Sequence, residues 1–178
     1  PHQLAVGVAG GCEAIVHSVR VALDKDPRLW VLQCDLVSAY QLVNRDFMLE
    51  ETLNAFPDIL HVVSTLYGQH SPLFFGDSTL WSRTGSTQGC PVAGLLHAIV
   101  MHPIILEAKK AEPDLAVLAA LADDATAVGT PDQLRHVVQI MATMGPERGL
   151  TLSTDRSVPG KGKTQVWSPD PLFAATAE

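Results

Sequence analysis

The residue pattern predicts an α+β fold in which an antiparallel sheet is backed by helices. Three observations lead there. Apolar runs at 30–35, 116–121 and 125–128 have strand length, while 91–110 and 131–144 carry helical periodicity. Turn residues stand between paired strand-like runs, at Gly76-Asp77-Ser78 and at Asp123-Asp124, so neighbouring strands fold back on one another. The order of elements lacks the regular βαβ alternation of a doubly wound parallel sheet.

Taken in order, Cys12, Ile15, Val16, Val19 and Leu23 recur at helical spacing after Gly10-Gly11, and Asp26-Pro27 ends that helix. Trp30 to Cys34 reads as a buried strand that ends on Asp35. Two helical stretches follow Asn44, one through Phe47, Leu49 and Leu53 and one from Pro57 to Tyr67, stopped by Gly68. Residues 72–76 and 79–83 read as a hairpin. The longest apolar helix spans 91–110, with a distortion expected at Pro103. Residues 116–121 and 125–128 form a second hairpin, 131–144 an amphipathic helix, and 150–152 and 164–167 short strands. Val158 to Lys163 reads as a flexible loop and 170–178 as a frayed tail.

The chain has 178 residues, 47% of them hydrophobic and 17% charged, which excludes disorder, coiled coil and collagen-like structure. Nineteen acidic against twelve basic residues give a net charge of −7, so the surface does not attract nucleic acid by bulk charge. That balance suits divalent cations instead. Cys12, Cys34 and Cys90 lie far apart, as in proteins of a reducing compartment; an intracellular location is expected, nucleus or cytoplasm undecided. No apolar run approaches the ~20 residues of a membrane helix, and no membrane partner is expected. Pro1 in place of Met reads as the start of a fragment or processed product.

Chemistry concentrates in three carboxylates. Asp35 ends one apolar strand and Asp123-Asp124 sit at the turn between two others, so an antiparallel sheet can bring them together. Like charges about 4 Å apart repel by roughly 4 kcal/mol at an effective dielectric of ~20. Such groups either protonate or hold cations, and hard oxygen donors with open positions suit Mg²⁺ completed by substrate phosphates. An Asp-Asp pair alone is equally at home in a solvated turn.

Further segments in register with these acids decide between the two. Asp35-Leu36-Val37-Ser38-Ala39-Tyr40, with Val43 and Arg45, resembles motif A of reverse transcriptases, especially those of non-LTR retrotransposons. Gln88-Gly89-Cys90-Pro91 resembles their motif B, Leu121-Ala122-Asp123-Asp124 their motif C, and Gly149 to Leu152 with Lys163 to Trp167 the strand and lysine beyond. Gln3 to Gly11 and the helix after it resemble the fingers segment that precedes motif A. The resemblance implies a polymerase palm at 29–44 and 86–169, with partial helical fingers at 1–28 and 45–85, in a single fingers-palm fragment.

It also implies roles. Asp35, Asp123 and Asp124 would be catalytic and, with the Leu36 carbonyl, would bind two Mg²⁺ ions, with Mn²⁺ as an alternative. Tyr40 would form the wall beneath the nucleotide sugar, favouring deoxynucleotides by clash with a 2′-hydroxyl. Gln88, Gly89 and Lys163 would contact the incoming nucleotide or its triphosphate. The partners implied are a template-primer and dNTPs, together with fingers strands and a thumb of the same polypeptide that this sequence does not contain. Leu121 in place of an aromatic, Gln41 in place of Asn and Gly94 in place of Ser or Pro depart from the family pattern. They leave a second reading open, a catalytically silent structural or RNA-docking module of the same fold.

Other patterns fall away. Gly162-Lys163-Thr164 imitates a P-loop end, but Ser157 occupies the position of its first glycine. His97 and His102 stand five apart, on different sides of a helix, and cannot share a metal. A receiver domain places its paired acids before its lone Asp, the reverse of this order, and a nucleotidyl cyclase leaves Gln88 to Pro91 unexplained.

Overall fold

A computed structural model describes residues 2–5, 7–87, 89–155 and 163–169. The expected tail at 170–178 and the expected loop at 158–162 lie outside the described residues. In chain order the elements begin with helix α1 (Gly11–Lys25), strand β1 (Trp30–Cys34), the short helix α2 (Ala39–Leu42) and α3 (Arg45–Ala55). A 3-10 turn (Pro57–Ile59), α4 (Leu60–Tyr67) and the hairpin strands β2 (Ser71–Phe75) and β3 (Ser78–Ser82) follow. Then come α5 (Ala93–Ala111), the hairpin strands β4 (Val117–Leu121) and β5 (Asp124–Gly129), and α6 (Pro131–Met144). A second 3-10 turn (Pro146–Arg148) precedes β6 (Gln165–Trp167).

Strands β4, β5, β1 and β6 join in that spatial order into one sheet, antiparallel throughout, while β2 and β3 pair only with each other. The α+β architecture, an antiparallel sheet backed by helices, is the polymerase palm-like one expected. Along β1 the period of two sends Leu32 and Cys34 to one face and Val31 and Gln33 to the other. The first face, with Ala125 and Ala127 of β5, meets Leu96, Val100, Met101 and Ile104 of α5 and Leu134 and Val137 of α6 in the main core. On the second face Ile15, Val16 and Val19 of α1 line a cleft of about 320 Å³ with Val31, Gln33 and Thr126.

Local chemistry explains the element ends. Thr130 caps α6, its hydroxyl accepting from the Gln133 N–H while its own N–H donates to the Gln133 side chain at 2.8 Å. Asn44 caps α3 by accepting from the Asp46 N–H at 2.9 Å. After α1 the Asp26 carboxylate takes two guanidinium bonds of 2.9 Å from Arg28 and is held at about 2 by them. Pro103 sits inside α5, which continues through it with one backbone donor fewer.

Two expectations need correction, and one element has no counterpart in the sequence reading. The helix of 91–110 begins at Ala93, because Pro91 and Val92 form a turn ahead of it. Residues 150–152 are not a strand: a single bridge joins Leu36 to Leu152, since β6 rather than this segment takes the edge beside β1. Helix α2 was not expected at all; it is a four-residue turn held by its surroundings. Among the described residues no helix is long and apolar enough to cross a membrane.

Candidate active site at the sheet end

The sheet register gathers the acids. Cys34 pairs with Ala125, so Asp35 and Asp124 are the next residues to face each other across β1 and β5. Leu121 pairs with Asp124, which leaves Ala122-Asp123 as a two-residue turn. All three carboxylates therefore stand at one end of the sheet. The turn is strained, with Ala122 at φ 57°, a left-handed conformation uncommon for a residue with a Cβ. Gln3 props it: the Ala122 N–H donates to the Gln3 Oε1 and the Gln3 Nε2 donates to the Ala122 carbonyl, both at 3.0 Å. No local sequence signal marks Gln3 for that role, because its partner is remote in the chain.

Asp35 is fixed through its backbone. Its N–H donates to Thr164 Oγ1 at 3.2 Å, and its carbonyl accepts from the Ser153 N–H at 2.8 Å and from the Thr164 hydroxyl at 3.2 Å. The bridge beside it runs through the Asp35 carbonyl and the Val37 N–H, so the Leu36 carbonyl takes no part in it. Lys163 places Nζ 3.9 Å from Asp35 Oδ1. Burial, then the charges of Asp123 and Asp35, push the Asp124 carboxyl above its ordinary value, with Lys163 opposing. Burial and the Asp124 charge push the Cys34 thiol up to about 12.

The donor chemistry fits a hard divalent cation, yet no three His, Cys, Asp or Glu side chains among the described residues converge closely enough to hold one. Repulsion between like charges keeps such groups from closing on a point by themselves. Mg²⁺ sites commonly take their remaining oxygens from substrate phosphates and water.

Tyr40 lies beside these acids on α2, half-buried, its phenol raised by burial and by the Asp123 charge. Two glycines pinch α2 into place. Gly85 at φ 69° leaves no room for a Cβ against the Tyr40 and Gln41 carbonyls, and Gly149 at φ 76° none against the Leu42 carbonyl. The Ser86 N–H donates to the Tyr40 carbonyl at 2.8 Å and the Gly85 N–H to the Val43 carbonyl at 2.7 Å. Arg45, 7% exposed, ties this loop to α3: it donates to the Gly85 and Ser82 carbonyls at 2.9 Å and to Ser82 Oγ at 2.8 Å, and stacks over Tyr67.

Gly89 takes φ 85° with open space where a Cβ would be, as close approach of a ligand requires. Gln88 lies outside the described residues. Behind Tyr40 stands His97, fully buried on α5, with ring centroids 5.1 Å apart. Among the described residues neither imidazole nitrogen has a hydrogen-bond partner, at a cost of about 1–3 kcal/mol for each unsatisfied group. Burial holds its pKa low, against the opposing charge of Asp123. A histidine within the apolar run of α5 is the sequence signal that points to it, whereas His102, five residues on, is exposed.

No protein-family model matches this chain. No curated protein matches it in sequence. Solved structures do match. An apo telomerase from Candida tropicalis truncated from its C-terminal domain superposes with TM-score 0.68 at 16% identity, over 93% of this chain and 36% of that one. Apo telomerase from the same organism gives 0.70 at 15% identity, over 94% and 33%. Telomerase from Candida albicans in complex with a fragment of telomeric RNA gives 0.67 at 14%, over 94% and 32%. The chain spans about a third of the length of these structures. What the likeness establishes at that identity is a reverse-transcriptase-like fold.

Proposed function

We propose that this chain is the fingers-palm part of an RNA-directed DNA polymerase, a nucleotidyltransferase that extends a primer on a nucleic-acid template. The observation that carries this reading is the register that sets Asp35 against Asp124, with Asp123 in the turn beside them. Asp35, Asp123 and Asp124, with the Leu36 carbonyl, would hold two Mg²⁺ ions, or Mn²⁺ in their place. When bound, the ions supply Lewis-acid activation and charge neutralisation to phosphoryl transfer. Tyr40 forms the wall under the sugar, Gly89 leaves room for the nucleotide, and Gln88 and Lys163 contact it, the lysine offsetting phosphate charge beside Asp35. Residues 29–44 and 86–169 serve as palm, and 1–28 and 45–85 as fingers. Kinship with non-LTR retrotransposon enzymes rests on the motif residues Asp35 to Arg45 and Gln88 to Pro91. Telomerase from Candida albicans was solved with RNA bound, which supports a nucleic-acid partner here; the net charge of −7 leaves the grip on a duplex to other parts of the polypeptide.

Primer extension tests the reading, with template-primer, dNTPs and Mg²⁺, on this chain and on a longer protein that contains it. Incorporation is expected from the longer protein and lost by at least about a hundredfold in Asp123→Asn. Equal incorporation by both rejects the catalytic assignment. A silent module of the same fold is the alternative favoured by Leu121 at the aromatic position, and it predicts no incorporation by either.

A further inference from the structure

Among the described residues other than glycine, a positive φ is held by Ser38, at 47°, and by Ala122, at 57°. Ala122 opens the two-residue turn that carries Asp123, and a hairpin that needs positive φ there ordinarily uses glycine. An alanine is strained in that conformation, and such strain persists only where surrounding contacts over-determine it. Here the contacts come from Gln3. Its Oε1 accepts the Ala122 N–H and its Nε2 donates to the Ala122 carbonyl, both at 3.0 Å. Gln3 is itself firmly seated. The Ala120 N–H donates to the His2 carbonyl at 2.6 Å, and the Leu4 N–H to the Ala120 carbonyl at 2.8 Å. Gln3 and Ala120 thus form a parallel bridge along the edge of β4 that β5 leaves free.

A side chain that binds both polar groups of one residue fixes the planar peptide units on either side of it. The second of those units contains the Asp123 nitrogen. Gln3 therefore sets the direction in which the Asp123 side chain leaves the turn. Closing a hairpin does not require this device, since glycine at 122 would adopt the same backbone unaided. Strain held in this way gathers at functional sites. We propose that Gln3 is a positioning residue of the metal site, its amide locking the peptide between Ala122 and Asp123 so that the Asp123 carboxylate stays at the sheet end with Asp35 and Asp124. This rests on the polymerase reading above. Without the clamp Ala122 relaxes to negative φ and carries Asp123 away from the other two acids. Outer groups that orient metal ligands are typically worth 10- to 100-fold in metal affinity.

The test is calorimetric titration of Mn²⁺ on the wild-type chain, Gln3→Met, the double variant Gln3→Met/Ala122→Gly and Asp123→Asn, below the melting temperature of each. Gln3→Met keeps the length of the side chain and neither bond, and is expected to bind about tenfold more weakly. Ala122→Gly removes the strain that drives the turn away, so the double variant is expected to return to within about threefold of wild type. A merely structural role for Gln3 would lower the melting temperature and leave the affinity of the folded chain unmoved. The wild-type chain supplies a readout that needs no variant to fold. If the clamp strengthens cation binding, the cation must strengthen the clamp by the same factor, so Mg²⁺ should slow hydrogen exchange at the Ala122 amide about tenfold. Wild-type affinity in Gln3→Met, no recovery in the double variant, or unchanged exchange at Ala122 overturns the assignment. If Asp123→Asn loses binding while Gln3→Met does not, only the Gln3 assignment fails. If Asp123→Asn binds as wild type does, or the wild-type chain binds no Mn²⁺, the polymerase reading of the site fails first and Gln3 with it.

Discussion

Asp124 bears the conflict of the site most directly. Its carboxyl is raised above the usual 3.8 by burial and by two neighbouring acids, so the folded chain holds a proton that the unfolded chain has released. Between the two values the folded state binds more protons, and stability falls as pH rises through that window. Above it the penalty is complete. Asp124→Asn should therefore raise the melting temperature at pH 7, by about 1–3 °C once the screening of a half-exposed group is allowed for. The gain should shrink as pH falls and vanish well below 3.8, where the Asp124 carboxyl is neutral in both states. Melting curves at the two pH values check the sign, and a gain that persists in acid would point to packing instead of charge. The acids were legible in the sequence because each ends an apolar run. Gln3, Thr164 and His97 were not, since each acts on a partner more than 50 residues away or, for His97, hides in a run that reads as core.

The elements that sequence reasoning recovered are those that carry their own signals. Helix α6 has its helical periodicity and β1 its apolar run of strand length, and both appear where expected. Helix α2 has neither. Its four residues hold together because Gly85 and Gly149 close on it from two sides with backbone at positive φ. That pincer positions Tyr40, so its loss should be felt both in stability and at the sugar wall proposed for Tyr40. Gly85→Ala and Gly149→Ala should each lower the melting temperature by about 4–8 °C, as a steric clash of roughly 2 kcal/mol implies. Gly94 provides the control. It lies in α5 with nothing within 4 Å of a Cβ, so Gly94→Ala should be neutral or slightly stabilising through helix propensity. Thermal melts of the three variants decide the matter; equal losses in all three would show that glycine content, not the pincer, sets the stability.

At the scale of the whole molecule, what no local pattern reveals is the strand order, because it depends on pairings between residues that are far apart in the chain. That order makes β1 an inner strand, flanked by β5 and β6, and puts Cys34 at its last position, next to Asp35. Cys34 is 1% exposed and its thiol is pushed up to about 12, whereas Cys12 is exposed and Cys90 half-buried. Thiolate is the reactive form, so Cys34 can be modified only after β1 has left the sheet and the thiol has regained an ordinary acidity. If the sheet end that carries the acids opens only with the rest of the fold, labelling of Cys34 must follow global unfolding. For a domain of ordinary stability that means at least about a thousandfold slower labelling in buffer than in denaturant. Its rate should rise with urea at the slope of the equilibrium transition. Peptide-resolved mass spectrometry after a pulse of iodoacetamide at pH 8 reads all three thiols in one sample, Cys12 serving as the fast reference. Labelling of Cys34 at a rate independent of urea would mean that β1 detaches locally from β5. The register that sets Asp35 against Asp124 would then be a transient arrangement, too loose to hold the proposed nucleotide site ready.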